Sequence, residues 1–364
     1  MSTMPVDSEL LERLRSPTII TTIVVVFLAF LYASIQDTPY DPLHLLFPSH
    51  FPFSSEIVQL RIYPIKSCRG IQVSSRQLLR TGLFLDRNWM FVDAETKKFI
   101  TIRQHRKMTL IRTTLRDDQL EISIRNQDWK ISIPAPPSKE WLEANCTLQD
   151  GLEIWGENTD GWAYDAGLIK PISELLGKEV RLVYKGPTPR LVAGSQELMG
   201  RDHAHYFADM MSVLVASESS LKELNTRLRK GGHDELTIER FRPNVIIKGG
   251  TPWMEDQWKK LRIYDSKTRQ NSEEPTGLEM EIPVRCLRCR VPNVEPETAE
   301  RSATDQPWKT LMGYRNIDDG NKQKPAFGVL CLPLQEGKIE VGMRLEVLET
   351  TKNHVFGKTP YKDL

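Results

Sequence analysis

From Ser16 to Gln36 the chain carries no charged side chain, and Ile19 to Ile35 reads IITTIVVVFLAFLYASI. As a helix, this stretch would extend about 31 Å, close to the roughly 30 Å hydrocarbon core of a bilayer. A cleaved signal peptide competes as a reading, but its apolar core is usually shorter and its n-region basic. Here Asp7, Glu9 and Glu12 precede the run, and bulky or charged residues (Asp37, Tyr40) follow it. The sequence therefore predicts a tail over 1–17, an uncleaved transmembrane anchor over 18–36 and a proline-rich linker over 37–54. Arg13 and Arg15 before the span would hold the N-terminus in the cytosol, a bias that the three acids offset.

The remainder has the profile of a folded body. Lysine plus arginine number 49 against 48 acids, a net charge of +1, so there is no basic surplus of the kind that nucleic-acid binders carry. Period-two alternation over Ile57–Ile65, Leu120–Arg125 and Trp129–Ile133 predicts strands. Further short strands are expected at 89–93, 99–103, 109–115, 180–184, 244–248, 261–264, 280–284, 327–332 and 344–348. Many short strands with close turns predict a β-rich barrel or sandwich. A helix is expected over 160–176, capped by Gly177, and a second from Ser220, where Ser-Leu-Lys-Glu forms a capping box, to about Lys230. The polar stretch 186–205, with Pro187 and Pro189, marks a boundary between a first domain (55–185) and a second (186–350), and 351–364 reads as a loose tail.

Five cysteines are too few for a disulfide scaffold. Cys146 and Cys331 stand alone and read as ordinary buried thiols. Cys286 and Cys289 differ, because Arg285, Arg288 and Arg290 surround them, and nearby cations favour the thiolate that ligates metals. One pair falls short of the four ligands of a structural zinc site. A thiolate in a cationic setting suits a soft metal on an anionic cofactor, and a buried pair with outward arginines is the plain alternative. Lys66-Ser67-Cys68-Arg69-Gly70 offers an ammonium, a hydroxyl and backbone N–H groups to a phosphate, although the same residues make an ordinary turn. Asp86-Arg87-Asn88-Trp89, Thr101-Ile102-Arg103-Gln104 and Phe241-Arg242-Pro243-Asn244 add arginines at strand ends. No Gly-x-Gly-x-x-Gly or haem signature supplies electrons from within.

Tyr-Pro-Ile-Lys-Ser-Cys-Arg-Gly, Asp-Arg-Asn-Trp, Phe-Arg-Pro-Asn and Cys-Leu-Arg-Cys followed by Pro-Glu-Thr, in this order, resemble the MOSC family, and within it the amidoxime-reducing branch. The resemblance covers about Ser55 to Leu348. It implies an α+β, β-rich body, with an N-terminal β-barrel domain and a β-barrel-like MOSC domain behind a single N-terminal transmembrane helix. It also implies a molybdenum cofactor (molybdopterin), with Cys289 as the metal ligand and Lys66, Ser67, Arg87, Arg103, Arg242, Asn244 and Arg288 around the pterin and its phosphate. Asp209 would lie near the metal and give a proton to a departing oxygen. The implied activity is reduction of amidoximes and hydroxylamines, with electrons from cytochrome b5 and its reductase, at the mitochondrial outer membrane with the body facing the cytosol. A non-catalytic cofactor or sulfur carrier is the alternative. Met210-Met211 departs from the family's small or hydroxylated residues, and His105-Arg106 from its Arg-Gln-x-Pro. Of the two neighbouring cysteines, strand alternation would point one into the pocket and the other away.

Overall fold

The computed structural model describes residues 53–266 and 277–354. The predicted anchor and most of the predicted C-terminal tail lie outside these residues. No helix among the described residues is long and apolar enough to cross a membrane.

The centre of the body is a closed seven-stranded barrel. Its staves run in the order Val245–Ile247, Val213–Ser217, Ala326–Pro333, Leu278–Leu287, Trp258–Tyr264, Arg344–Thr350 and Ser54–Ile62, and the last pairs back onto the first. All pairings are antiparallel except that of Val213–Ser217 with Val245–Ile247. Closure leaves no free edge, so a barrel of short staves needs no further cover for its backbone. Ala326–Pro333 and Val213–Ser217 are buried on both faces, which explains their continuous apolar runs.

Six staves come from the second half of the chain and one, Ser54–Ile62, from the first. The rest of the first half forms open sheets: Trp89–Asp93 with Val180–Lys185, Glu157–Tyr164 and Cys146–Ile154, and separately Ile111–Arg116 with Gln119–Ile124 and Lys130–Pro134. Ser75–Leu79 pairs with Gly82–Leu83 and, across the chain, with Gly337–Glu340. One hydrophobic cluster runs from Ile57 and Trp89 through Ile122 to Val245, Met280 and Val329, so the halves share a core.

Four expectations are corrected. The stretch 160–176 does not form a single helix: Glu157–Tyr164 is a strand, and the helix is only Lys170–Leu176, closed as expected by Gly177 in the left-handed conformation. Glu157–Tyr164 pairs on both sides, with Cys146–Ile154 and Val180–Lys185, and at Gly161 a Cβ would lie 2.9 Å from the Tyr184 carbonyl oxygen. The helix expected from Ser220 begins at Glu218, because Ser217 Oγ accepts from the Ser220 N–H. Residues 351–354 are not loose. Thr351 donates to the Gln257 carbonyl at 2.7 Å, and His354 is buried between the carbonyls of Pro283 and Trp258. The expected strand 99–103 is a turn with a single bridge at Phe99.

Candidate active site

One pocket, with a cavity of about 140 Å³, receives side chains from both halves of the chain. All nine residues singled out in the sequence line it: Lys66, Ser67, Arg87, Arg103, Asp209, Arg242, Asn244, Arg288 and Cys289. They come from turns just outside the strands, where the backbone is free to aim side chains inward.

Three of these turns are held in an unusual way. Ser67, Arg87 and Arg242 have φ of 67°, 54° and 58°, a left-handed conformation that costs energy for residues with a Cβ and collects at functional sites. Tyr63 over-determines two of them: its buried ring meets the guanidinium groups of both Arg87 (4.7 Å) and Arg242 (4.2 Å). Gly70 makes room for this ring, since a Cβ at that position would come within 2.4 Å of it. Arg242 also donates to the Cys68 carbonyl at 2.7 Å. Asn244 is buried, its Oδ1 accepts from Leu214 N and Arg87 Nη1 (both 3.1 Å), and its Nδ2 donates to the Arg61 carbonyl at 3.2 Å. Asn244 thus spends its amide on protein and fixes Arg87.

On the opposite side the Lys66 ammonium pairs with the Asp209 carboxylate and donates to the Phe207 carbonyl at 2.8 Å. Burial pulls the Lys66 pKa down to about 8, against the pull of Asp209 in the other direction. The Asp209 side chain, by contrast, is 53% exposed at the pocket. Partial desolvation would raise its pKa, but Lys66 and Arg103, with hydrogen bonds from Lys66 and Trp155, hold it well below the usual carboxylate range. Asp209 is therefore the anion of an ion pair with Lys66. Lys66 is the proton-bearing partner. Trp155 was not singled out in the sequence; its Nε1 donates to Asp209 Oδ1 at 3.1 Å, and Arg103 lies 4.4 Å over its ring.

Both cysteines of the Cys-Leu-Arg-Cys segment line the pocket, against the expectation that alternation would separate them. The strand ends at Leu287, so period two does not extend to Cys289. Cys286 Sγ accepts from Arg288 Nη1 at 2.9 Å, and burial pushes its thiol pKa up although Arg288 opposes this. Arg288 Nη2 donates to the Phe241 carbonyl at 2.7 Å, while Arg288 Nε is buried with no hydrogen-bond partner among the described residues. The remaining wall is apolar, made by Met210, Met211, Leu214, Leu287 and Leu330. The departure noted at Met210-Met211 thus falls on the pocket surface. The other thiols are ordinary: Cys68 and Cys331 are buried and their pKa values raised by that burial, and the Cys146 pKa is pushed up to about 11 by partial burial.

Residues 54–179 match the MOSC N-terminal beta barrel domain and residues 202–346 the MOSC domain. Human mitochondrial amidoxime-reducing component 1 is 31% identical over 301 residues, covering 79% of this chain and 81% of that protein. The chain belongs to the MOSC family. Mouse mitochondrial amidoxime-reducing component 1 is 30% identical, with 79% of this chain and 80% of that protein covered. Arabidopsis thaliana molybdenum cofactor sulfurase is 29% identical over 78% of this chain but only 33% of its own length. This MOSC chain is thus similar along most of its length to amidoxime-reducing components, and to a third of a sulfurase.

Proposed function

We propose that this MOSC protein is a molybdenum-cofactor-dependent reductase of N-oxygenated compounds such as amidoximes and hydroxylamines. The observation that carries the proposal is the convergence of cations from both halves of the chain on one pocket that also holds Cys289. The residues fit a multiply charged pterin phosphate: Lys66, Arg87, Arg242 and Arg288 converge on one cavity, and Arg288 Nε is a buried donor still awaiting an acceptor. The rigid left-handed turns at Ser67, Arg87 and Arg242 preorganise these donors.

In this reading Lys66, Ser67, Arg87, Arg242 and Arg288 hold the cofactor, Asn244 acts through Arg87, and the Cys289 thiolate ligates the metal. Bound there, the molybdenum cofactor supplies two electrons for reduction of a substrate N–O bond. Lys66 holds a proton beside Asp209, and Asp209 keeps that ammonium at the pocket rather than in the interior. Met210, Met211 and Leu330 exclude water from one side and receive the organic part of the substrate. Cytochrome b5 and its reductase are the proposed electron donors. The proposed location is the mitochondrial outer membrane, through an anchor at residues 18–36, with the body in the cytosol.

The test measures molybdenum and pterin in the purified protein, then turnover of a model amidoxime with a reduced donor. Metal with turnover is the expected result. Metal without turnover would leave the carrier function instead, and protein that never acquires metal or pterin would overturn both.

A further inference from the structure

Trp155 and Gly156 form the two-residue turn of a hairpin closed by the Ile154–Glu157 pair, and both have positive φ, 53° and 81°. Such turns favour Asn-Gly or Gly-Gly, because the first position is left-handed and penalises a bulky side chain. A tryptophan there is a strained choice for the turn itself. Its indole, although partly exposed, has three partners. Nε1 donates to Asp209 Oδ1 at 3.1 Å, the Arg103 guanidinium lies over the ring at 4.4 Å, and Phe99 meets its edge at 4.8 Å. Phe99 in turn lies 5.4 Å beneath the Lys66 ammonium.

We infer that Trp155 is a positioning residue of the pocket, whose indole N–H holds the Asp209 carboxylate against Lys66 and whose ring seats Arg103. Asp209 Oδ1 accepts from both Lys66 and Trp155, so two donors converge on one oxygen of a carboxylate that is otherwise half open to the pocket. Without the N–H, that carboxylate is free to turn toward Arg103 and leave Lys66 among like charges. Arg87 and Arg190 act on the Lys66 ammonium with repulsion, the neighbouring His205 is buried, and Asp209 is the carboxylate that opposes them. Trp155 therefore governs which cation the pocket carboxylate serves, without touching the pocket's contents. That this pocket takes a cofactor rests on the function proposed above, but the test does not, because it reads the amine and not turnover.

Full-length protein in detergent is labelled with trace acetic anhydride between about pH 6 and 11, and the Lys66 peptide is quantified by mass spectrometry. In the wild type, Lys66 becomes nucleophilic near about pH 8. Asp209→Asn removes the carboxylate and sets the largest acid shift of that midpoint. Trp155→Phe keeps the ring and loses only the N–H, and should give roughly half of that shift or more, while Lys185, paired with Asp160 elsewhere, stays unchanged. If Asp209→Asn moves the Lys66 midpoint and Trp155→Phe does not, the indole is packing only and the proposal falls. It falls equally if Asp209→Asn moves nothing, since the ion pair is then not there to be positioned. A wild type that turns over no amidoxime, with the Lys66 shifts as expected, would count against the functional reading alone.

Discussion

Two sulfur atoms share the pocket wall, and their surroundings predict different consequences for the same substitution. Cys286 Sγ is an acceptor for Arg288, a role that a hydroxyl performs as well. Cys286→Ser should therefore cost less than about 1 kcal/mol in chemical unfolding and leave bound metal unchanged. Cys289→Ser should lower molybdenum per protein and abolish amidoxime reduction, because a hydroxyl is a harder and less ionised ligand. The reverse pattern would exchange the two assignments. Most motif residues were legible because they are polar or charged side chains beside a recognisable strand, whereas Asp209 was reached only through the family resemblance. Trp155 was not, since a single aromatic inside Glu-Ile-Trp-Gly-Glu carries no sign of the carboxylate some fifty residues later that it contacts. Nor was the placement of Cys286, which depends on where its strand stops.

At the level of elements, one misread stretch has a clear cause. Asp160 to Leu176 contains a real helix, but its polar beginning resembles a helix start, and only its pairing with Cys146–Ile154 and Val180–Lys185 shows a strand. The turns are more informative than their sequences suggest. Gly70→Ala would drive a methyl into Tyr63 and displace the ring from Arg87 and Arg242. We expect a loss of about 1–3 kcal/mol in denaturant unfolding, together with loss of bound pterin; an unchanged midpoint would show that the ring yields freely. The short 3-10 turn Met254–Gln257 buries Glu255, whose pKa is raised to about 7 by burial and then by Asp256, with Ser220 opposing. A carboxyl whose pKa is higher folded than unfolded binds more protons in the folded state. Its contribution is complete below about pH 4.5 and is lost as pH rises through about 7. Glu255→Gln should thus match the wild type near about pH 4 and be more stable by about 1–3 kcal/mol at about pH 8, measured by urea unfolding at both values.

For the whole molecule, the β-rich class was legible from alternation and the barrel from the family resemblance, but not the strand that closes it. Ser54–Ile62 looks like any other first strand, and only its pairing with Val245–Ile247 and Arg344–Thr350 shows that it seals a barrel made by the other half. The anchor proposed from the charge-free run predicts that full-length protein stays in the pellet after alkaline carbonate extraction and that residues 53–364 do not. Release of the full chain at high pH would remove that part of the proposal.

The single stave contributed by the first half also orders events in time. On a ribosome, Ser54–Ile62 emerges long before Arg344–Thr350, and it cannot find its two neighbours until the last of them is made. The pocket, which draws on both halves, does not exist on a nascent chain. Whatever occupies it must meet a finished polypeptide, so loading is separate from synthesis and is governed by supply of the ligand rather than by the pace of translation.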